Sequence, residues 1–356
     1  MLKKGVVQVN QIVTEPVNYS RLEPFVVRMT IQQTKLKRTM SLEKFLSTLI
    51  VVCIVVLAGC DSKSTGDSAG AQTSGLQIVV TTGQINAALQ KITAGTDANV
   101  HLFCGPGVDP HSFSASTNDV QAMLDAHLII YNGFHLEAKL SQHLHGKFEH
   151  KSWSMASAFP KTSRLDWVED GEIDPEAPFD PHIWNHLPGW SECVLALATR
   201  LGESDPENSG TYMHNADGYI AELRDAHKWA QEQLAAIPQE RRTIVSAHDA
   251  FNYFSNEYNM ETLAVLGIGN DPEADIVTMR SVAKQICEKK IPAIFIESIT
   301  NPKVSEALQE ACQAREWKVT LVSQPLYSDD LGESAPQNTF LGAFKSNVQV
   351  ICDSLK

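Results

Sequence analysis

The chain has 356 residues, is 43% hydrophobic and carries a formal net charge of −13. That is enough for one large domain or two ordinary ones with a real core. Beyond residue 59 there are 21 basic against 39 acidic residues; this argues against nucleic acid as a partner, because phosphate backbones reward basic patches, and it suits a cation.

Near the N-terminus, the basic stretch TKLKRTMSLEKF (34–45) precedes the apolar run LSTLIVVCIVVLAGC (46–60). The segment Leu49–Gly59 is shorter than the roughly 20 apolar residues that span a bilayer. A charged start, a short apolar run and small residues before a cut describe an export signal. LAGC at 57–60 has the form of a lipobox, so Cys60 is expected to receive a lipid and become the mature first residue. Residues 1–28 fit no signal pattern, and translation is expected to begin at Met29 or Met40. The stretch DSKSTGDSAGAQTSG (61–75) has too few apolar residues to build a core and reads as a flexible tether.

From Leu76 onward strand and helix patterns alternate. LQIVVTT (76–82), NVHLFCG (99–105) and HLIIYNG (127–133) read as strands. GQINAALQKIT (83–93) and TNDVQAMLDA (117–126) read as helices, the second capped by Ser116 or Thr117. The alternation restarts with strand candidates RTIVSA (242–247), TLAVLG (262–267), PAIFIE (292–297) and KVTLVS (318–323). Helices are expected at 276–290, at 301–317 with Pro302 in the first turn, and at the C-terminus. Between the two sets, apolar residues recur at Tyr212, Ala216, Tyr219, Leu223, Ala226, Ala230 and Leu234, the spacing of one long helix. The expected class is α/β: two lobes, each with a mainly parallel sheet flanked by helices, joined by that helix. The expected boundaries are 1–59 for the N-terminal extension and signal, 60–75 for the tether, 76–204 for the first lobe, 205–238 for the linking helix and 239–356 for the second lobe.

Five cysteines follow the tether: Cys104, Cys193, Cys287, Cys312 and Cys352. They include no Cys-x-x-Cys pair, which speaks against a thiolate zinc knot. An odd number leaves at least one unpaired, and the sequence does not choose partners.

In open α/β sheets ligands bind beyond the carboxyl ends of the strands. Four polar residues fall in such places: His111 after NVHLFCGPGVDP, His248 after RTIVSA, Glu297 at the end of PAIFIE and Asp329 after KVTLVSQPLYS. His182 lies in FDPHIW, a second Asp-Pro-His beside VDPHSF at 108–113; Asp-Pro ahead of a His stiffens the loop that presents it. Three imidazoles and one carboxylate close a four-coordinate site for a divalent ion, with His suited to zinc and carboxylate to harder ions such as manganese.

The segments GPGVDPHSFSASTNDVQAMLDAHLIIYNGFHLEAKL (105–140), FDPHIW (179–184), TIVSAHDAFNYFSNEY (243–258), IPAIFIES (291–298) and PLYSDDLG (325–332) resemble the TroA-like metal-binding lipoproteins, the zinc and manganese receptors of ABC importers. The likeness runs in register from about residue 76 to the C-terminus. It implies two α/β lobes joined by a spanning helix with the metal held between them. Carried over position by position, it implies His111, His182, His248 and Asp329 as ligands. It also implies Glu297 beside the metal, there to accept the free N–H of a ligand His. The family has Glu or His at position 248; His turns the site toward zinc, with manganese possible. The sequence departs from the family after the Trp in IWNHLPGW and at Ser114 and Ala115. His135, His143, His145 and His150 form a modest His-rich stretch, expected to be a solvated loop rather than a metal-gathering one.

The function so implied is capture of a divalent ion outside the cytoplasmic membrane, or in the periplasm where there is an outer membrane. Delivery then goes to an ABC permease, from a monomer tethered by the lipid on Cys60. An exported zinc hydrolase is the rival from another class, but it would keep an open coordination position, and no His-Glu-x-x-His helix or separate general base is present. An adhesin lipoprotein is a second alternative.

Overall fold

The computed structural model describes residues 75–169, 172–173, 175, 177–268 and 276–356. Cys60, its signal and all but the last residue of the expected tether lie outside them.

The first lobe is built on four parallel strands. Strand β1 (Gln77–Thr82) leads into helix α1 (Gly83–Ile92), whose first turn is closed by the Thr82 hydroxyl accepting from the Ile85 N–H. Strand β2 (Asn99–Cys104) leads, through a long loop, into helix α2 (Thr117–Asp125). Ser116 and Asp119 cap α2 reciprocally, each side chain taking the other's backbone N–H. Strands β3 (Leu128–Tyr131) and β4 (Ser152–Ser154) complete a sheet in the order β2-β1-β3-β4. β3 is buried at every position, as expected for a strand covered on both faces. A small antiparallel hairpin, β5 (Val168–Glu169) with β6 (Glu172–Ile173), precedes the His182 loop.

Helix α3 (Leu187–Ser204) then packs along helix α4 (Ser209–Leu234). α4 has 26 residues and so runs about 39 Å. Its buried residues are Tyr212, Ala216, Tyr219, Leu223, Ala226, Ala230 and Leu234, the seven positions that the periodicity selects. They join one apolar cluster that takes in Val80 and Ile130 of the first sheet and Ile244 and Phe295 of the second lobe. The helix thus ties both lobes to a common core.

The second lobe repeats the alternation: β7 (Thr243–Ser246), α5 (Asn252–Glu257), β8 (Glu261–Ala264), α6 (Ile276–Lys289), β9 (Ala293–Glu297), α7 (Pro302–Gln313), β10 (Thr320–Leu326) and α8 (Phe340–Leu355). β7 pairs with β8 and β9 with β10, both parallel, and β7 lies beside β9. Pro302 opens α7 behind an Asn301 cap, where a missing N–H costs nothing.

Side chains bridge the lobes around the strand ends. Asp330 accepts from the Gly107 N–H at 2.8 Å, Trp184 Nε1 donates to the Ser328 carbonyl at 2.9 Å, and Asn185 Nδ2 donates to the Ala250 carbonyl at 2.9 Å. His186 Nε2 lies 2.9 Å from Glu257 Oε2. These bonds fix how residues 107–111 and 180–186 face residues 247–257 and 328–330.

Candidate metal centre

Both Asp-Pro-His loops are held by the same local device. The Asp carboxylate accepts the backbone N–H of the His two residues on: Asp109 Oδ1 from His111 at 2.8 Å, and Asp180 Oδ1 from His182 at 2.9 Å. The Pro between them has no N–H to compete and sets its own φ. Each loop is therefore a small rigid turn with an imidazole at its tip. No strand runs directly into His182. Its loop is instead anchored at the end of β3, where buried Asn132 donates to the Pro181 carbonyl at 2.8 Å.

His248 and Asp329 come from the other lobe, just past β7 and β10. The structure brings these two together with His111 and His182. His111 Nε2 is 3.3 Å from His182 Nε2 and 3.4 Å from Asp329 Oδ2. His182 Nε2 is 3.4 Å from Asp329 Oδ1, and His248 Nδ1 is 3.6 Å from Asp329 Oδ2. Zinc–nitrogen bonds of 2.0–2.1 Å imply tetrahedron edges of about 3.3–3.4 Å; these contacts lie close to that, and the four donor atoms as a set lie within 4.8 Å of one another. The His111 side chain is 7% exposed and the other three are fully enclosed. Among the described residues these four form the one group of three or more His, Cys, Asp or Glu side chains whose ligand atoms converge.

The ring nitrogens are oriented by partners outside the cluster. His182 Nδ1 sits 2.7 Å from Asp180 Oδ1, which leaves Nε2 to face the cluster. Asp180 is in turn held by Asn252 Nδ2 at 3.0 Å and, through its carbonyl, by the Tyr253 hydroxyl at 3.1 Å. His248 Nε2 sits 2.8 Å from the Ile268 carbonyl, which leaves Nδ1 to face inward. The role expected of Glu297 thus passes to Asp180 and Ile268. Glu297 instead clamps the backbone: its Oε1 accepts from the N–H groups of Ala247 and His248 at 3.1 and 2.9 Å, while Oε2 lies 3.5 Å from His248 Nδ1. Asp180 was not singled out in the sequence, although its position two residues before His182, matching Asp109 before His111, was the available signal.

The inward-facing atoms have no partners of their own. His248 Nδ1, Glu297 Oε2 and both carboxylate oxygens of Asp329 are buried and make no hydrogen bond. Buried polar atoms left without a hydrogen bond are costly, and a divalent cation taking His248 Nδ1 and an Asp329 oxygen would satisfy them. The electrostatics agree. Burial alone would raise the Asp329 carboxyl, but the imidazoles of His248, His182 and His111 hold it well below the usual carboxylate range. Burial alone would lower His248, yet the carboxylates of Asp329 and Glu297 push it up to about 10. For His111 burial prevails, and its pKa is lowered.

A family model described as zinc-uptake complex component A, periplasmic, matches residues 78–354. The chain belongs to this ZnuA family. The chain is 33% identical over 313 residues to the manganese-binding lipoprotein MntA of Bacillus subtilis, covering 87% of this chain and 99% of that one. It is 34% identical over 292 residues to the zinc-binding protein TroA of Treponema pallidum, covering 81% and 92%. The solved structure of that periplasmic zinc-binding TroA superposes with a TM-score of 0.72 at 33% identity, over 79% of this chain and 99% of that one. ZnuA-family membership and the two-lobed α/β fold are therefore established together.

The His-rich stretch stays apart from the four-residue cluster. His135 and His145 line a separate cavity of about 500 Å³ with Phe134 and Phe179, and His145 packs edge-on against Tyr131.

The hydrogen bond to Asp180 is expected to matter as a support. Asp180→Ala should weaken metal binding about 10–100-fold, the usual effect of losing the partner that orients a ligand His. A chelator competition titration reads this directly; an unchanged affinity would show that the His182 ring is held by packing alone.

Proposed function

We propose that this protein is the extracytoplasmic receptor of a metal ABC importer, and that it captures one divalent ion between its lobes with His111, His182, His248 and Asp329. The observation that carries this is the enclosed set of four donors, all within 4.8 Å of one another, whose inward oxygens and Nδ1 make no hydrogen bond. Relatives are named for manganese in one case and for zinc in another, so the names do not choose the ion. Three imidazoles against one carboxylate favour zinc, and manganese is the second candidate. In this reading the protein supplies four donors, whereas a zinc hydrolase keeps one position for water, so the ion is bound without chemistry on it.

The sequence LAGC supports a lipid on Cys60, as does the naming of relatives such as the Streptococcus mutans substrate-binding lipoprotein SloC. No helix among the described residues is long and apolar enough to cross a membrane. A monomer held by that lipid keeps the loaded body close to its permease.

Equilibrium dialysis followed by elemental analysis should find one tightly held ion per chain, lost in His111→Ala. Failure of the unaltered protein to retain any divalent ion would overturn the reading. A zinc-against-manganese competition on His248→Glu should shift preference toward manganese, since a carboxylate replaces the softer imidazole. If the preference stays put, ligand type at position 248 does not set it.

A further inference from the structure

Cys287 and Cys312 are the cysteines that the metal site leaves without a role and that the fold nevertheless brings together. Cys287 lies in the last turns of α6 and Cys312 near the end of α7, two helices packed on each other. Each sulfur reaches the other helix: Cys287 Sγ is 3.9 Å from the Cys312 carbonyl, and Cys312 Sγ is 3.9 Å from the carbonyl of Ala283, one turn before Cys287. Cys287 is half-buried, so a reagent reaches it, while Cys312 is sealed in the apolar cluster of Val282, Ile286 and Leu308. The remaining cysteines are set elsewhere: Cys104 packs with Val79 and Phe103, and Cys193 and Cys352 lie in the large central cluster.

We propose that Cys287 and Cys312 are an oxidation site, at which a protein or small-molecule disulfide outside the cytoplasm converts the pair into a bond stapling α6 to α7. The inference rests on the extracytoplasmic location and not on the metal reading. Such compartments allow disulfides to persist. The exchange runs in two steps. The Cys287 thiolate attacks one sulfur of the donor disulfide and releases the first donor thiol. The Cys312 sulfur, as thiolate, then attacks Cys287 Sγ and expels the second. Two thiol protons leave, and the two electrons end on the donor, which is reduced to its thiols. Burial pushes the Cys312 thiol up to about 12 and seals it from reagents, so half-buried Cys287 is the one that meets the donor first. The segment closed by the bond contains β9 and Glu297, the residue that clamps Ala247 and His248. The staple therefore braces one wall of the cluster without touching it.

The test is a thiol map of the purified protein. One sample is treated with oxidised glutathione and one with a phosphine reductant; both are unfolded in iodoacetamide, digested and analysed by mass spectrometry. In the oxidised sample the Cys287 and Cys312 peptides should be linked, with Cys104, Cys193 and Cys352 alkylated. The oxidised protein should melt on the order of 5 °C above the reduced one, and Cys287→Ser should abolish that difference. Alkylation of both Cys287 and Cys312 after oxidation, a glutathione adduct that stops at Cys287, or a link to any other cysteine overturns the site. A correct link with no change in melting overturns the bracing role. None of these readouts depends on metal, so they separate this inference from failure of the metal reading.

Discussion

Asp329→Asn should abolish tight metal binding while leaving the fold in place. Asp329 is the one carboxylate among the four converging residues and touches the ring nitrogens of all three histidines at 3.4–3.6 Å. Asn has nearly the same shape, so packing is kept. It is neutral, however, and its amide presents N–H groups where the cation needs a lone pair. Structural zinc sites bind with about 10–16 kcal/mol spread over four ligands, so losing the anionic one should cost affinity about 10³-fold. The neighbouring Asp330→Asn is the matched control. Its carboxylate is engaged by the Gly107 N–H and the Ser298 hydroxyl rather than by the cluster, and one ion per chain should still bind. Calorimetric or chelator-competition titration of both variants decides the matter. A fall of less than tenfold in Asp329→Asn would remove it from the coordination set.

How much of this was legible in the sequence depends on which force sets each feature. The buried face of the long helix α4 was readable to the residue, because its seven positions follow from periodicity alone, whereas the helix itself runs Ser209–Leu234 inside the expected 205–238. The strand-end positions of His111, His248, Glu297 and Asp329 were readable because short apolar runs mark the strands. Helix α3 was not. It starts at Leu187 behind His186, whose Nδ1 accepts the Gly189 N–H at 2.9 Å. Sequence rules look for Ser, Thr, Asp or Asn in that place, and a histidine cap gives no such signal. Strand β4 is three residues long and half-buried throughout, too short for a period-two pattern to register. The oriented rings divide in the same way. Asp180 is a local partner, two residues from His182, and was available to inspection. The partner of His248 is the backbone carbonyl of Ile268, twenty residues away in the chain, and any residue type supplies a carbonyl. Glu297 was placed beside the cluster by its strand, but its grip on two backbone N–H groups depends on β7 lying next to β9, which is tertiary information.

Metal binding at neutral pH should release one proton, and affinity should rise about tenfold per pH unit from about pH 7 to 9. The proton is that of His248. In the metal-free protein the carboxylates of Asp329 and Glu297 hold this ring as imidazolium, its pKa pushed up to about 10 despite complete burial. An ion that takes Nδ1 must displace that proton, since only the neutral ring offers a lone pair. His111 adds no second proton, because burial lowers its pKa, and Asp329 stays ionised because the imidazoles hold its carboxyl down. The slope should flatten as the pH approaches 10, where the metal-free ring gives up the proton by itself. Stability of the metal-free protein moves the other way. The folded value of about 10 lies above the ordinary value of 6.5, so this contribution is complete below about pH 6.5 and is lost as pH rises through 10. The metal-free protein should therefore melt progressively lower between pH 7 and 10, while the loaded protein, with the cation in place of the proton, should not share that loss. Titration calorimetry in buffers of different ionisation enthalpy counts the protons directly. No release at pH 8 would mean that His248 is already neutral in the metal-free protein and that the two carboxylates share the site without its charge.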